Sequence, residues 1–364
     1  MNNALLERIK KAGSIKTAET ISKSSFFNDK DMIQTDIPAL NIALSGKLEG
    51  GLTPGLTILA GPSRHFKSMF GLIMVKSYMK RYPESICLFI DSEFGITPDY
   101  ISTIGIDTDR VLHVPVEHIE QLKFDLVKRL EEINRGDKVI IFIDSIGNLA
   151  SKKEVEDALD GKSVADMTRA KTLKGLFRII TPHFATKDIP CIVVNHTYQE
   201  QALYPKTIMS GGTGPMYSAN TVFFIGKQQE KDGTELAGWN FIINVEKSRY
   251  VKEKSKIPVT VTFDGGLSKW SGLLEMALEA KLVVKPSNGW YSRVDVTTGE
   301  IEDRKWRLAD TDSKEFWLPV LTSKAFQIWV KNNYQVGSGQ MMSDESIDEE
   351  LANVEEDDEA IQDS

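Results

Sequence analysis

The segment Gly61-Pro62-Ser63-Arg64-His65-Phe66-Lys67-Ser68 holds the residue types that grip a polyphosphate. Its loop, from Gly61 to Phe66, would aim backbone N–H groups and the N-terminus of a following helix at an anion. Lys67 would reach the outer phosphates, and the Ser68 hydroxyl would ligate Mg²⁺. The pattern G-x-x-x-x-G-K-[ST] has Gly where this chain has Phe66, so only Gly61, Lys67 and Ser68 satisfy it. So reduced a match arises by accident roughly 0.1–0.3 times in a chain this long. The alternative is an ordinary strand-to-helix turn, and the surroundings must decide.

Three more apolar runs end in chemistry. Ile86–Asp91 leads into Ser92-Glu93, Val139–Asp144 into Ser145, and Cys191–Asn195 into His196. In a parallel sheet, ligands lie beyond the carboxyl ends of the strands. These groups would therefore share one edge with the phosphate loop, where Mg²⁺·ATP would sit. Asp144, after a run of apolar residues, fits a carboxylate that holds Mg²⁺ through water; its other role would be to cap the next turn. Hydrolysis needs a base to orient and activate water. Glu93 is the better candidate, because Asp91 is still in its strand and would be spent on structure. His196 is either a satisfied hydrogen-bonding residue or a group that feels the γ-phosphate and passes this to the loop it begins.

Two segments near that edge carry polar character. Residues 197–219 show few helix or strand cues and end in Ser-Gly-Gly-Thr-Gly-Pro-Met-Tyr-Ser, which includes Gly211 and Gly212. A loop this long inside a compact core is functional or disordered. Ser151–Asp166 contains Lys152, Lys153 and Lys162, and the helix after it bears Arg169, Lys171, Lys174 and Arg178. Together they suit a groove that tracks a phosphodiester backbone. A solvated helix face is the other reading of these bases.

The elements that must position these groups are legible. The runs Leu56–Ala60, Ile86–Asp91, Val139–Asp144 and Cys191–Asn195 lack alternation, as strands buried on both faces do. Helix-like segments separate them: Met69–Arg81, His118–Arg135 and Val164–Phe184. This predicts an α/β fold with a mostly parallel central sheet. Val222–Ile225, Phe241–Val245 and Val259–Phe263 are joined by short turns and predict an antiparallel extension. After Asp264-Gly265-Gly266 comes a separate small α+β unit. It would have a helix over Gly272–Ala280, a strand at Leu282–Lys285, a turn into Trp290-Tyr291 and a helix near Glu315–Asn332. The predicted division is 1–30 (arm and linker), 31–269 (core), 270–337 (small domain) and 338–364 (acidic disordered tail).

Composition excludes some classes. No apolar run nears the ~20 residues that span a bilayer, and the charged N-terminus lacks a signal-peptide apolar region. A soluble cytoplasmic protein without membrane contact is expected, in the host-cell cytoplasm if the chain is viral. Cys87 and Cys191 lie in apolar runs and predict buried thiols, not a disulfide or zinc site. The net charge of −8 is misleading: eleven carboxylates and no Lys or Arg fall between Asp344 and Asp363. Without them 41 acids face 44 bases, so the body is near neutral to basic. Such a tail would damp DNA binding, add solubility or dock a basic partner.

Taken in order, these motifs resemble a RecA-type recombinase core, and more closely the UvsX recombinases of T-even-type bacteriophages. Ala60-Gly-Pro-Ser63 with Phe66-Lys67-Ser68, Asp91-Ser-Glu-Phe-Gly-Ile-Thr97, Gly147-Asn-Leu-Ala-Ser-Lys-Lys-Glu154, Asn195-His-Thr-Tyr198, Gly211–Ala219 and Val245-Glu-Lys-Ser-Arg249 carry the likeness. In that family Phe also replaces the penultimate loop Gly. The resemblance implies an ATP-dependent, Mg²⁺-requiring DNA recombinase that forms helical filaments on single-stranded DNA and exchanges strands with double-stranded DNA. Glu93 would then be the catalytic carboxylate, Tyr100 would pack on adenine, and His196 would sense the γ-phosphate. Lys247 and Arg249 would reach ATP across a subunit interface. Residues 1–30 would pack on the neighbouring subunit with Phe26 or Phe27 as anchors, and the loops at 151–166 and 197–219 would hold DNA. Further implied partners are a single-stranded-DNA-binding protein, a recombination mediator and a helicase. Two other readings remain: a ring-forming RecA-fold helicase motor, which would need a further domain, and a non-catalytic nucleotide-gated DNA-coating protein.

Overall fold

A computed structural model describes residues 3–15, 17–24, 31–161, 168–200, 203–232 and 234–337. Phe26, Phe27, Lys162 and the predicted tail lie outside the described residues. After the N-terminal helix α1 (Asn3–Ala12) comes α2 (Pro38–Ser45), opened by Pro38 and closed by Gly46 in the left-handed region at φ 70°. Apolar periodicity does not reveal so short a helix, and the sequence reading omits it. Next follow β1 (Gly55–Ala60), α3 (Lys67–Arg81), β2 (Ile86–Asp91), α4 (Pro98–Ile104), β3 (Val111–Pro115), α5 (Ile119–Glu132) and β4 (Val139–Asp144). Then come α6 (Lys152–Leu159), α7 (Thr168–Lys187), β5 (Pro190–Asn195), a hairpin of β6 (Thr197–Gln199) and β7 (Thr207–Met209), and α8 (Gly214–Ser218). The long strands β8 (Thr221–Asp232) and β9 (Glu235–Lys247), then β10 (Lys256–Thr262) and β11 (Gly266–Leu267), complete the core.

Nine strands form one sheet in the order β11-β10-β9-β8-β1-β5-β4-β2-β3. From β3 to β8 neighbours are parallel, and from β8 to β11 antiparallel. Thus the antiparallel extension exists, but its first strand, β8, is itself parallel to β1. The physical difference shows in burial. Strands β1, β4 and β5 are buried at every residue, whereas β9 is buried at alternate positions along its second half. Helices cover both faces of the parallel part: α3 packs on Phe89, Phe142 and Val194, while α5 and α7 pack on Ile58, Ile90, Ile141 and Val193. β3 went unread in the sequence because an exposed edge strand needs no unbroken apolar run. Its Leu112 is exposed and only Val114 is well buried.

The described parts of two expected loops are structured. Residues 152–159 form α6, opened by a reciprocal capping box in which Ser151 and Glu154 satisfy each other's backbone N–H groups. Residues 197–219 hold the β6–β7 hairpin and α8. Towards the C-terminus are α9 (Leu273–Glu279), the antiparallel sheet of β12 (Val283–Ser287), β13 (Trp290–Arg293) and β14 (Trp306–Arg307), then α10 (Lys314–Thr322) and α11 (Lys324–Tyr334). The single helix expected near Glu315–Asn332 is two, because Ser323 turns extended and its hydroxyl caps Phe326 N–H. The unit packs closely on the core. Trp306, Phe316, Phe326 and Val330 join the buried cluster that contains Leu40, Phe70 and Phe142. Tyr334 O accepts from Lys252 N–H at 2.7 Å, tying the last helix to the core.

Candidate active site

The phosphate loop follows β1. Gly61 N–H donates to Asn195 O at 3.3 Å, and a Cβ on Gly61 would come within 2.9 Å of Ile225 O, so the loop leaves between β5 and β8. Lys67 is the first residue of α3, whose opening N–H groups have no partner one turn earlier. Lys67 Nζ donates to Pro62 O at 2.7 Å across the loop. Burial pulls its ammonium below the usual lysine range, and Asp144 and Glu93 oppose that shift. His65 Nδ1 lies 2.9 Å from Ser63 O.

Phe66 shows why Gly is usual here. Its φ of 61° is left-handed, as is that of Arg64 at 60°. The strain of about 1–2 kcal/mol is offset by packing: the ring stacks on Phe241 at 4.9 Å and meets Phe70 edge-on at 5.3 Å. Phe66→Gly should therefore lower stability by about 1–2 kcal/mol, since a half-buried phenyl contributes more than the relieved strain. Thermal unfolding should shift down by several degrees while nucleotide affinity stays within a few-fold; an unchanged or higher midpoint would overturn the packing argument.

Asp91 and Asp144 are paired in register at the ends of β2 and β4. Asp91 is spent on structure: Oδ1 accepts from Glu93 N–H and Phe94 N–H at 3.0 and 2.8 Å, and His113 Nε2 lies 3.3 Å from Oδ2. This turn projects Glu93 into a cleft of about 290 Å³ lined also by Ser63–Met69, Tyr100 and His196. Asp144 is 3% exposed, and burial raises its carboxyl to about 6 against a hydrogen bond from Ser68. Its Oδ1 has no hydrogen-bond partner among the described residues. A buried, unpartnered carboxylate oxygen beside a serine hydroxyl is an oxygen donor set that suits Mg²⁺.

Glu93 is held more tightly than the sequence suggests. Its Oε1 accepts from Ser145 Oγ at 2.5 Å and Asn148 Nδ2 at 3.4 Å, and lies 3.0 Å from His196 Nε2. The His196 contact, helped by Ser145 and opposed by burial, brings its carboxyl below the usual range. Ser145 was placed at this edge without a role, and Asn148 was given none, because each follows the strand end that Asp144 dominates. Their neighbours Asp-Ser and Gly-Asn-Leu were visible, but their reach to Glu93 was not. Tyr100 is 42% exposed at the cleft rim on α4.

The basic set divides. Lys171, Lys174 and Arg178 are exposed on α7 at a spacing that shares one face. Lys152 and Lys153 are exposed on α6, with Lys152 3.6 Å from Glu156. Arg169 departs from the expectation of a free cation. Its guanidinium donates to the carbonyls of Leu149, Ile146 and Gly147 at 2.8, 2.9 and 2.7 Å and to Ser210 Oγ at 3.2 Å. Gly211 and Gly212 are left-handed at φ 85° and 77°. Gly211 abuts α7, where a Cβ would fall 2.5 Å from Leu173 Cδ1. The hairpin exposes Tyr198 and Tyr204, aromatic rings that the sequence reading did not weigh.

Lys247 and Arg249 do not line this cleft. Lys247 ends β9 opposite Val222, which pairs with Ile58 of β1, and Arg249 continues away from the phosphate loop. Lys247 Nζ donates to Met216 O and Tyr217 O at 2.9 and 3.0 Å. Burial and the neighbouring Arg249 lower its ammonium below the usual range.

Comparison with known proteins agrees with this architecture. Residues 3–268 match the model of the RecA N-terminal domain, and residues 270–330 match that of the C-terminal domain of the bacteriophage T4 recombination and repair protein. The recombination and repair protein of Enterobacteria phage T4 is 57% identical over 92% of this chain and 86% of its own. Protein RecA of Bacteroides thetaiotaomicron is 25% identical over 75% of this chain and 81% of its own. For protein RecA of Rhodococcus jostii the figures are 26%, 77% and 80%. With a core match over most of its length and a phage relative this similar, the chain belongs to the RecA family, beside the T4 recombination and repair protein.

Proposed function

We propose that this protein is an ATP-dependent DNA recombinase that polymerises on single-stranded DNA and pairs it with homologous duplex. The observation that carries the reading is the edge of the parallel sheet. There Lys67, Ser68 and Glu93 line one cleft, and behind Ser68 lies a buried Asp144 with one oxygen unpartnered among the described residues. Lys67 and the N–H groups of the loop and helix bind the phosphates. Ser68 and Asp144 would hold Mg²⁺, which would offset charge on the phosphate oxygens. Glu93 accepts the proton of the attacking water, and His196, 3.0 Å away, holds that carboxylate until nucleotide and DNA are in place. Tyr100 offers its ring to adenine.

Lys152, Lys153, Lys171 and Arg178 supply exposed charge for a DNA backbone, and the hairpin tyrosines supply stacking faces. Lys247 and Arg249, remote from their own phosphate loop, serve the site of an adjoining copy. Head-to-tail contacts of this kind build an open helix when the rotation does not close. Electron microscopy with single-stranded DNA and a slowly hydrolysed ATP analogue should show open helical filaments. Closed rings would favour a helicase motor, and the absence of both forms would end the recombinase reading.

A further inference from the structure

We propose that Arg169 is a positioning residue that ties the β6–β7 hairpin to the catalytic carboxylate, and that it makes no contact with DNA phosphate. The proposal rests on the reading that the hairpin binds single-stranded DNA and that Glu93 is the base.

The Arg169 guanidinium bridges two segments more than 60 residues apart in sequence. One is the turn after β4, through the carbonyls of Ile146, Gly147 and Leu149. The other is the exit of the hairpin, through Ser210 Oγ. Such a planar fork satisfies several acceptors at once, which an ammonium cannot reproduce. With its donors so engaged and the group half-buried, little of it remains for a phosphate.

Both segments then lead to Glu93. Ser210 Oγ also donates to Gly147 O at 3.3 Å, Ser210 N–H donates to His196 O at 2.8 Å, and Asn195 Nδ2 donates to Ser210 O at 2.9 Å. Gly147 is pressed on His196 so closely that a Cβ would fall 2.2 Å from the ring carbon Cδ2. His196 Nε2 contacts Glu93 Oε1, and Asn148, the residue after Gly147, reaches the same oxygen. A shift of the hairpin base therefore displaces Ser210, and with it the Gly147 turn and the histidine that restrains the base. Arg169 makes these parts move together.

The two roles for Arg169 give opposite results. The measurements are the ratio of ATP hydrolysis with and without single-stranded DNA, and the salt dependence of DNA affinity, for the full chain and for Arg169→Lys, Arg169→Ala and Ser210→Ala. A positioning role predicts that Arg169→Lys, with its charge intact, loses stimulation by about 5- to 100-fold. It also predicts that Arg169→Ala keeps the wild-type slope of log affinity against log salt. Ser210→Ala, a gentler change that guards against misfolding of the arginine variants, should lose about 2- to 10-fold. A phosphate contact predicts instead that the slope in Arg169→Ala shrinks by about 0.7 and that Lys restores stimulation. Either of those results, or full stimulation in Ser210→Ala, overturns the proposal. If the unchanged chain shows no stimulation by DNA, the functional reading fails first and the proposal falls with it.

Discussion

Glu93→Gln should bind ATP and DNA yet hydrolyse ATP on the order of 10²–10⁴-fold more slowly, the usual loss when a general base is removed. The amide keeps the shape of the side chain and can still meet Ser145 and Asn148, so the cleft should persist. What it loses is the ability to take a proton from water. Filaments of this variant should therefore form with ATP and fail to disassemble. Lys67→Ala should behave differently: the cation that spans the loop to Pro62 O disappears, and nucleotide binding is lost with it. Equilibrium binding of a fluorescent nucleotide separates the two variants, and single-turnover hydrolysis with DNA present measures the chemical step. Near wild-type turnover by Glu93→Gln would remove Glu93 from the role of base. Retained affinity in Lys67→Ala would remove the lysine as clamp.

Mixing two inactive variants should restore activity if the site is shared. Within one chain Lys247, at the end of β9, and Arg249, two residues beyond it, lie away from the phosphate loop, so their service to ATP needs a second copy. A Lys67→Ala chain has an intact basic pair, and a Lys247→Ala/Arg249→Ala chain has an intact loop. Random head-to-tail assembly of equal amounts joins the two intact halves at about a quarter of the interfaces. Hydrolysis should rise from near zero toward that fraction of wild type. In the unchanged protein, activity should grow more than linearly with concentration as interfaces form. Co-assembly of the variants must be demonstrated, for example by fluorescence transfer between labelled chains. Co-assembly without recovery at any ratio would rule out a shared site.

Much of the candidate site was legible because buried parallel strands require unbroken apolar runs. The polar residue that ends each run then falls on one sheet edge. Gly61, Lys67, Ser68, Glu93, Asp144 and His196 were placed on that edge in this way, each at the end of such a run or in the loop or helix start just beyond it. The demotion of Asp91 was also readable: a carboxylate still inside its strand caps the turn that projects Glu93, as its bonds to Glu93 and Phe94 N–H show. The edge strand β3 and helix α2 escaped because a half-exposed strand and a two-turn helix impose too little pattern on composition.

The chain's order of apolar runs and polar ends determined the parallel centre of the sheet, the edge that carries the candidate site and the loop after β1. Those features depend on local period and on residues adjacent in sequence. Only the tertiary structure decided which side chains meet across the site. Glu93 meets Ser145, Asn148 and His196, and the Arg169 guanidinium binds the Gly147 turn and Ser210. It likewise decided that the C-terminal unit shares the main core. The reason is physical. A charged side chain in a basic run looks the same whether it faces solvent or is half-buried among carbonyls, and only the packing of distant segments settles which acceptors lie within about 3 Å of it.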